Sequence, residues 1–189
     1  MGRYIGKLKT DVYGISADQA YMARLTLSAA QAVAADPDGL LDGTALGVAA
    51  TTVTTFLNPM PYARNITIVA SAAQTGEAVI TGTNLADQVI TETITFDGTT
   101  PVLGAKAFKT VTSIRLPIKA GTENVDIGWG DILGLPFMLS ARPLLWATDD
   151  GVIETTVPTV VVDNDELEKN TIDLHSAMNG SVIDIYLVL

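Results

Sequence analysis

The chain has 189 residues, no cysteine, and 21 acidic against 11 basic side chains, a net charge of −10. These numbers exclude a disulfide framework and a thiol nucleophile, and no basic stripe is present to neutralise the phosphates of a nucleic acid. Apolar residues reach 48% while charged ones stop at 17%, so the surface is unusually neutral, as a Thr-rich β-surface or a partner-covered one would be.

Residues 1–15 carry Gly2, Gly6 and Gly14 and read as an extended arm. Arg3, Lys7 and Lys9 make it basic within an acidic chain, and Asp11 is its single acid. That asymmetry suits an acidic partner surface, with Tyr4, Ile5, Leu8, Val12 and Tyr13 as apolar anchors. Arg3, Tyr4, Ile5, Lys7, Leu8 and Lys9 are therefore the candidate partner-binding residues, and a frayed terminus is the plain alternative. No apolar signal core follows these cations, so a cleaved export signal is not expected. No stretch approaches a membrane span either, and no membrane partner is expected.

Ser16-Ala-Asp-Gln19 has capping-box spacing and opens an Ala-rich segment running to Ala35, which predicts a short helix. The alternation in Leu25-Thr-Leu27 argues for a strand instead. Asp36-Pro-Asp-Gly39 predicts a turn. A short strand is expected over 51–56. Asn58-Pro-Met-Pro61 reads as a connection or a sheet edge, because proline cannot donate to a ladder.

From Arg64 to Pro117 the sequence predicts four strands, over 64–71, 77–83, 88–96 and 107–117, separated by Gly, Asn, Asp and Pro. Ile90, Ile94 and Phe96 fall on one face with Thr91, Thr93 and Thr95 opposite, and Phe108, Ile114 and Leu116 share a face. Four strands with no room for crossover helices pair antiparallel. The expectation is an all-β chain: an arm over 1–15, then a single antiparallel β-sandwich over 16–189 with its core in 60–189. Its type is jelly-roll or Ig-like.

Beyond Pro117, a short strand is expected at Val125–Ile127 and a loop over 128–136. Asp149-Asp-Gly151 predicts a hairpin between 144–148 and 152–157, and 159–162 is a further short apolar run. Residues 163–168 form an acidic loop. Asn179-Gly180 then launches a last strand, 181–189, in which Ile183, Ile185, Leu187 and Leu189 alternate with Asp184 and Tyr186.

His175 is the only histidine, which excludes a histidine metal cluster and leaves a surface role. Asp163, Asp165, Glu166 and Glu168 lack the alternating ligands and central glycine of a calcium loop, so neither metal nor cofactor is expected. Trp129 and Trp146, with Tyr62 and Tyr186, could stack on a sugar ring or anchor a core or an interface. Glu92 interrupts an apolar strand face, either guarding an edge or pairing with Lys109 or Arg115. No enzyme signature emerges, and none is expected.

Arg64-Asn-Ile-Thr-Ile68, Ile80-Thr-Gly-Thr-Asn84, Ile90-Thr-Glu-Thr-Ile94 and above all Gly104-Ala-Lys-Ala-Phe-Lys-Thr-Val-Thr-Ser-Ile114 resemble a group of tailed-bacteriophage virion proteins. The resemblance continues through Gly130-Asp-Ile-Leu-Gly-Leu-Pro136 and Asn179-Gly-Ser-Val-Ile-Asp-Ile-Tyr186. It implies a structural protein of the particle: a head decoration (cement) protein, made in the host cytoplasm and carried on the capsid surface. The implied partners are the major capsid protein and further copies of the chain, a trimer on local threefold positions. It brings no catalytic residues. The alternatives are a neck or tail component, a carbohydrate-binding β-module of a host-recognition fibre, or an enzyme of unrecognised type.

Overall fold

The computed structural model describes residues 8–9, 16–17, 21–139 and 144–189. In chain order the strands are β1 Leu8–Lys9, β2 Ser16–Ala17, β3 Met22–Leu27, β4 Asp36–Ala45, β5 Thr51–Val53, β6 Arg64–Ala70, β7 Glu77–Thr83 and β8 Val89–Thr95. They continue as β9 Val102–Phe108, β10 Thr110–Leu116, β11 Asn124–Gly134, β12 Leu144–Asp149, β13 Val152–Ile153, β14 Thr159–Val161, β15 Thr171–Asp173 and β16 Ile183–Val188. A 3₁₀ turn over Leu167–Lys169 is the one helical element among the described residues. Every strand pair is antiparallel. The fold is all-β and sandwich-like, as the alternation in the sequence predicts.

Three larger sheets build it, beside a two-stranded β1-β2 ribbon. The first runs β5-β10-β7-β8, the second β14-β15-β11-β6-β9, and the third β13-β12-β16-β3. β4 adds to the second sheet by pairing with the amino-terminal part of β11, from Asn124 to Trp129. The first and second sheets enclose one core, built on Ile66, Ile68, Ile80, Ile94, Phe108, Ile114 and Ile127. The inner face of the third sheet closes a second core: Leu27, Ile183, Ile185 and Leu187 pack with Leu133, Leu135 and Ile172.

β11 serves both cores, and a bulge makes that possible. Trp129 lies opposite Ile66 and Leu133 opposite Arg64, so four steps on β11 span two on β6. Asn65 bridges the gap by accepting the Ile132 N–H at 3.1 Å. An inserted stretch of this kind bends a strand and re-aims its side chains. Arg64, fully buried, sits at the same junction.

Several sequence expectations change here. The helix expected from Ser16 to Ala35 is not formed over the described residues: Met22–Leu27 is a strand. Helix propensity is a weak prior, and here the alternation wins: Ala23, Leu25 and Leu27 pack against the second core while Arg24 and Thr26 reach Asp184. The Asp36–Gly39 turn becomes a wide bulge inside β4, where Asp36 pairs with Trp129 and Leu41 with Ile127. The loop expected over 128–136 is mostly strand, continuous with Val125–Ile127. Gly128 permits this, since a Cβ there would run into the Asp36 carbonyl oxygen. The expected strand 107–117 breaks at Lys109, where the chain leaves the second sheet for the first.

Candidate functional site

β16 is the middle of the third sheet, with β12 on one side and β3 on the other. Strand alternation sends Ile183, Ile185 and Leu187 into the core and Asp184, Tyr186 and Val188 outward. The register lines up what stands beside them. Arg24, Tyr186 and Trp146 form one row across three strands, and Thr26, Asp184 and Thr148 the next.

Both rows are bonded internally. Trp146 stacks on Tyr186 with ring centroids 4.8 Å apart and planes inclined by 27°, the offset geometry that aromatic pairs favour. The Arg24 guanidinium lies 5.6 Å from the Tyr186 centroid, so Tyr186 is held between a cation and an indole. Arg24 also grips Asp184 bidentately, at 2.9 Å from Nε and 2.6 Å from Nη2. Thr26 Oγ1 donates to the same carboxylate at 2.6 Å. The hydrogen bonds from Arg24 and then Thr26 hold the Asp184 carboxyl below the usual aspartate range.

Around this lattice the face stays apolar and open. Met22 is 69% exposed, Ile153 61% and Trp146 39%. A groove of about 360 Å³ opens beside Trp146, walled by Leu145, Ile153, Val157 and Pro158 with Glu154 at its side. Large apolar side chains gathered on one outward sheet face are a feature that interaction sites share.

The other sequence candidates fall elsewhere. Arg3, Tyr4, Ile5 and Lys7 lie outside the described residues. Leu8 and Lys9 pair through the backbone with Ala17 and Ser16. Trp129 is buried, its Nε1 donating to the Ala34 carbonyl at 3.2 Å. Tyr62 is largely buried too, and burial pushes its phenol up to about 12. The sugar-stacking quartet is therefore not assembled: only Tyr186 and Trp146 stand together.

His175 adopts a left-handed φ of 65° and bonds Thr159 Oγ1 through Nε2 at 2.9 Å. Its Nδ1 stands 3.9 Å from Asp173 Oδ1, too far for the hydrogen bond that would orient a catalytic imidazole. The acidic loop is a bonded structure. Lys106 reaches Glu166 at 2.6 Å and Glu168 at 3.2 Å, Lys169 pairs with Glu166, and Asp163 accepts two backbone N–H groups. Glu92 pairs with neither Lys109 nor Arg115; it accepts the backbone N–H of Ala105 at 2.6 Å and of Lys106. Among the described residues no three histidines or carboxylates gather to hold a metal ion.

Tyr186 and Trp146 read as strand residues in the sequence, but spacing along the chain does not set them side by side. Their partner Arg24 was hidden in a segment that reads as helix. No protein-family model, curated protein or solved structure matches the chain.

Proposed function

We propose that this chain is a structural component of a bacteriophage particle, a decoration protein that binds and stabilises the major capsid shell. The observation that carries the proposal is the outward face of the third sheet. Its Arg24–Tyr186–Trp146 row is already stacked within the chain, and Met22 and Ile153 flank it exposed. Rigid aromatic anchors bind with little loss of conformational freedom, which suits permanent attachment. The resemblance of residues 60–189 to tailed-bacteriophage virion proteins supplies the kind of partner.

A carbohydrate-binding role fits the face less well. Tyr186 has Arg24 on one side and Trp146 on the other, so Trp146 alone offers a ring face to a sugar. A stacking site with a single ring platform gives little specificity.

Co-sedimentation with capsid shells lacking the protein tests the proposal. The full chain should pellet with shells, and Trp146→Ala should weaken binding at least tenfold, since anchor truncations commonly cost about 2 kcal/mol or more. Equal binding by folded variant and parent would remove Trp146 from the interface. No binding by the parent would overturn the assignment.

A further inference from the structure

The third sheet has an outer edge as well as an outer face, and among the described residues no strand pairs with that edge. β3 pairs with β16 without interruption, from Met22 opposite Val188 to Leu27 opposite Ile183. It contains no proline and no bulge, and its one charge, Arg24, is already held by Asp184. Natural edge strands are normally blunted by such devices or kept short. Elsewhere in this chain they are. β5, β13 and β14 are two or three residues long. β8 and β9 close on each other through Glu92, which accepts the Ala105 and Lys106 N–H groups.

The backbone shows what the β3 edge presents. Tyr21 and Leu189 exchange both of their backbone hydrogen bonds, at 3.0 and 2.7 Å. Antiparallel pairs alternate, so Ala23, Leu25 and Leu27 also turn their backbone groups toward β16. Met22, Arg24 and Thr26 turn theirs outward, where no strand of the described residues meets them.

We infer that β3 pairs antiparallel with β3 of a second copy, joining two third sheets into one eight-stranded sheet about a twofold axis. A register centred on Leu25 satisfies the outward groups and the charges together. Leu25 then lies on the axis opposite its own copy, and Arg24 lies opposite the partner copy's Thr26, exchanging backbone hydrogen bonds. Each Arg24 guanidinium thereby faces the Thr26–Asp184 pair of the other chain, opposite in charge. In the neighbouring register Arg24 would stand against its own copy, and like charges directly opposite are unfavourable. Leu25, only partly buried at this edge, would be covered by its own copy, and Ala23 by Leu27 of the second copy. An isologous contact of this kind is the commonest way identical chains associate. It is a twofold pair, different from the threefold cluster that the resemblance implies, and it uses the edge of the sheet rather than its face.

Light scattering on the full chain at tens of micromolar should give twice the 19.8 kDa of one chain. Thr26→Pro removes an outward N–H without touching the β16 ladder, and this variant should be monomeric with an unchanged far-ultraviolet spectrum. The protein has no cysteine, so Leu25→Cys should give a disulfide-linked dimer under mild oxidation, because Cα atoms of a non-hydrogen-bonded pair lie about 4.5 Å apart. Met22→Cys, offset from its own copy, should cross-link far more slowly. A monomeric parent overturns the inference, as does a folded Thr26→Pro that remains a dimer. If Thr26→Pro fails to fold, equal cross-linking by the two cysteine variants overturns it.

Discussion

Arg64 donates to the Val33 carbonyl at 2.6 Å, tying the first residue of β6 to the turn that follows β3. The same side chain reaches the Gln31 carbonyl at 3.0 Å and the Gly130 carbonyl at 3.4 Å, and it contacts Met178 Sδ at 3.3 Å. Burial lowers its pKa to about 10, with Asp131 opposing the shift. A buried guanidinium met mainly by carbonyls lets Arg64 stand where the two cores join and hold elements of both. Arg64→Ala should cost about 3–5 kcal/mol, because two close carbonyls are orphaned at roughly 1–3 kcal/mol each and a cavity remains. Arg64→Lys should fall between, since an ammonium cannot span the separate carbonyls. Urea unfolding measures both. A loss below about 1 kcal/mol for Arg64→Ala would remove Arg64 from this role.

Acid should weaken the third sheet. Asp184 is held low by Arg24 and Thr26, so its contribution is complete above the unfolded aspartate value of about 3.9. It disappears as pH falls through the lower folded value. Glu166, paired with Lys106 and Lys169, shifts in the same direction. Glu92 shifts the other way, raised chiefly by burial, and its contribution is lost as pH rises through its folded value. The expected result is a melting temperature that drops below about pH 4, with a flatter acid limb in Asp184→Asn. Identical acid limbs for the variant and the parent would show that the Arg24–Asp184 pair contributes nothing.

The central position of β16 makes the second core depend on it. Ile185→Ala removes a fully buried side chain and should cost about 2–4 kcal/mol. Deleting 183–189 should abolish soluble, folded protein, because β12 and β3 would lose the strand they both pair with. A truncated chain with an unchanged melting point would contradict this.

His175 should be dispensable. Its side chain is exposed and its contact with Thr159 lies at the surface, so His175→Ala, at a left-handed φ, should change stability by about 1 kcal/mol at most and leave shell binding intact. A marked loss of any measured activity in that variant would reopen an enzymatic reading.

Most of the fold is legible in the sequence where one strand face is buried and the other is not. Ile90, Ile94 and Phe96 against Thr91, Thr93 and Thr95 is such a case, and in β16 the apolar Ile183, Ile185 and Leu187 still alternate with the polar Asp184 and Tyr186. The Asp150-Gly151 hairpin is legible too, since both residues take the positive φ that its turn demands. What fails is what depends on distant partners. β3 has helical composition and is a strand because β16 lies beside it. The Asp36–Gly39 turn signal becomes a bulge because β11 runs past it. Gly128 and Gly130, which read as loop, are glycines because β4 and Asn65 crowd them. The candidate face needs the register of three strands from opposite ends of the chain, and spacing along the sequence carries no such information.

Electron microscopy of the intact particle tests the central claim most directly. The account predicts density for this all-β chain on the outer capsid surface, with Trp146, Tyr186 and Met22 of the third sheet turned toward the major capsid protein. Density confined to the tail or a fibre tip, or a capsid contact made by another surface while this face remains open to solvent, would contradict it.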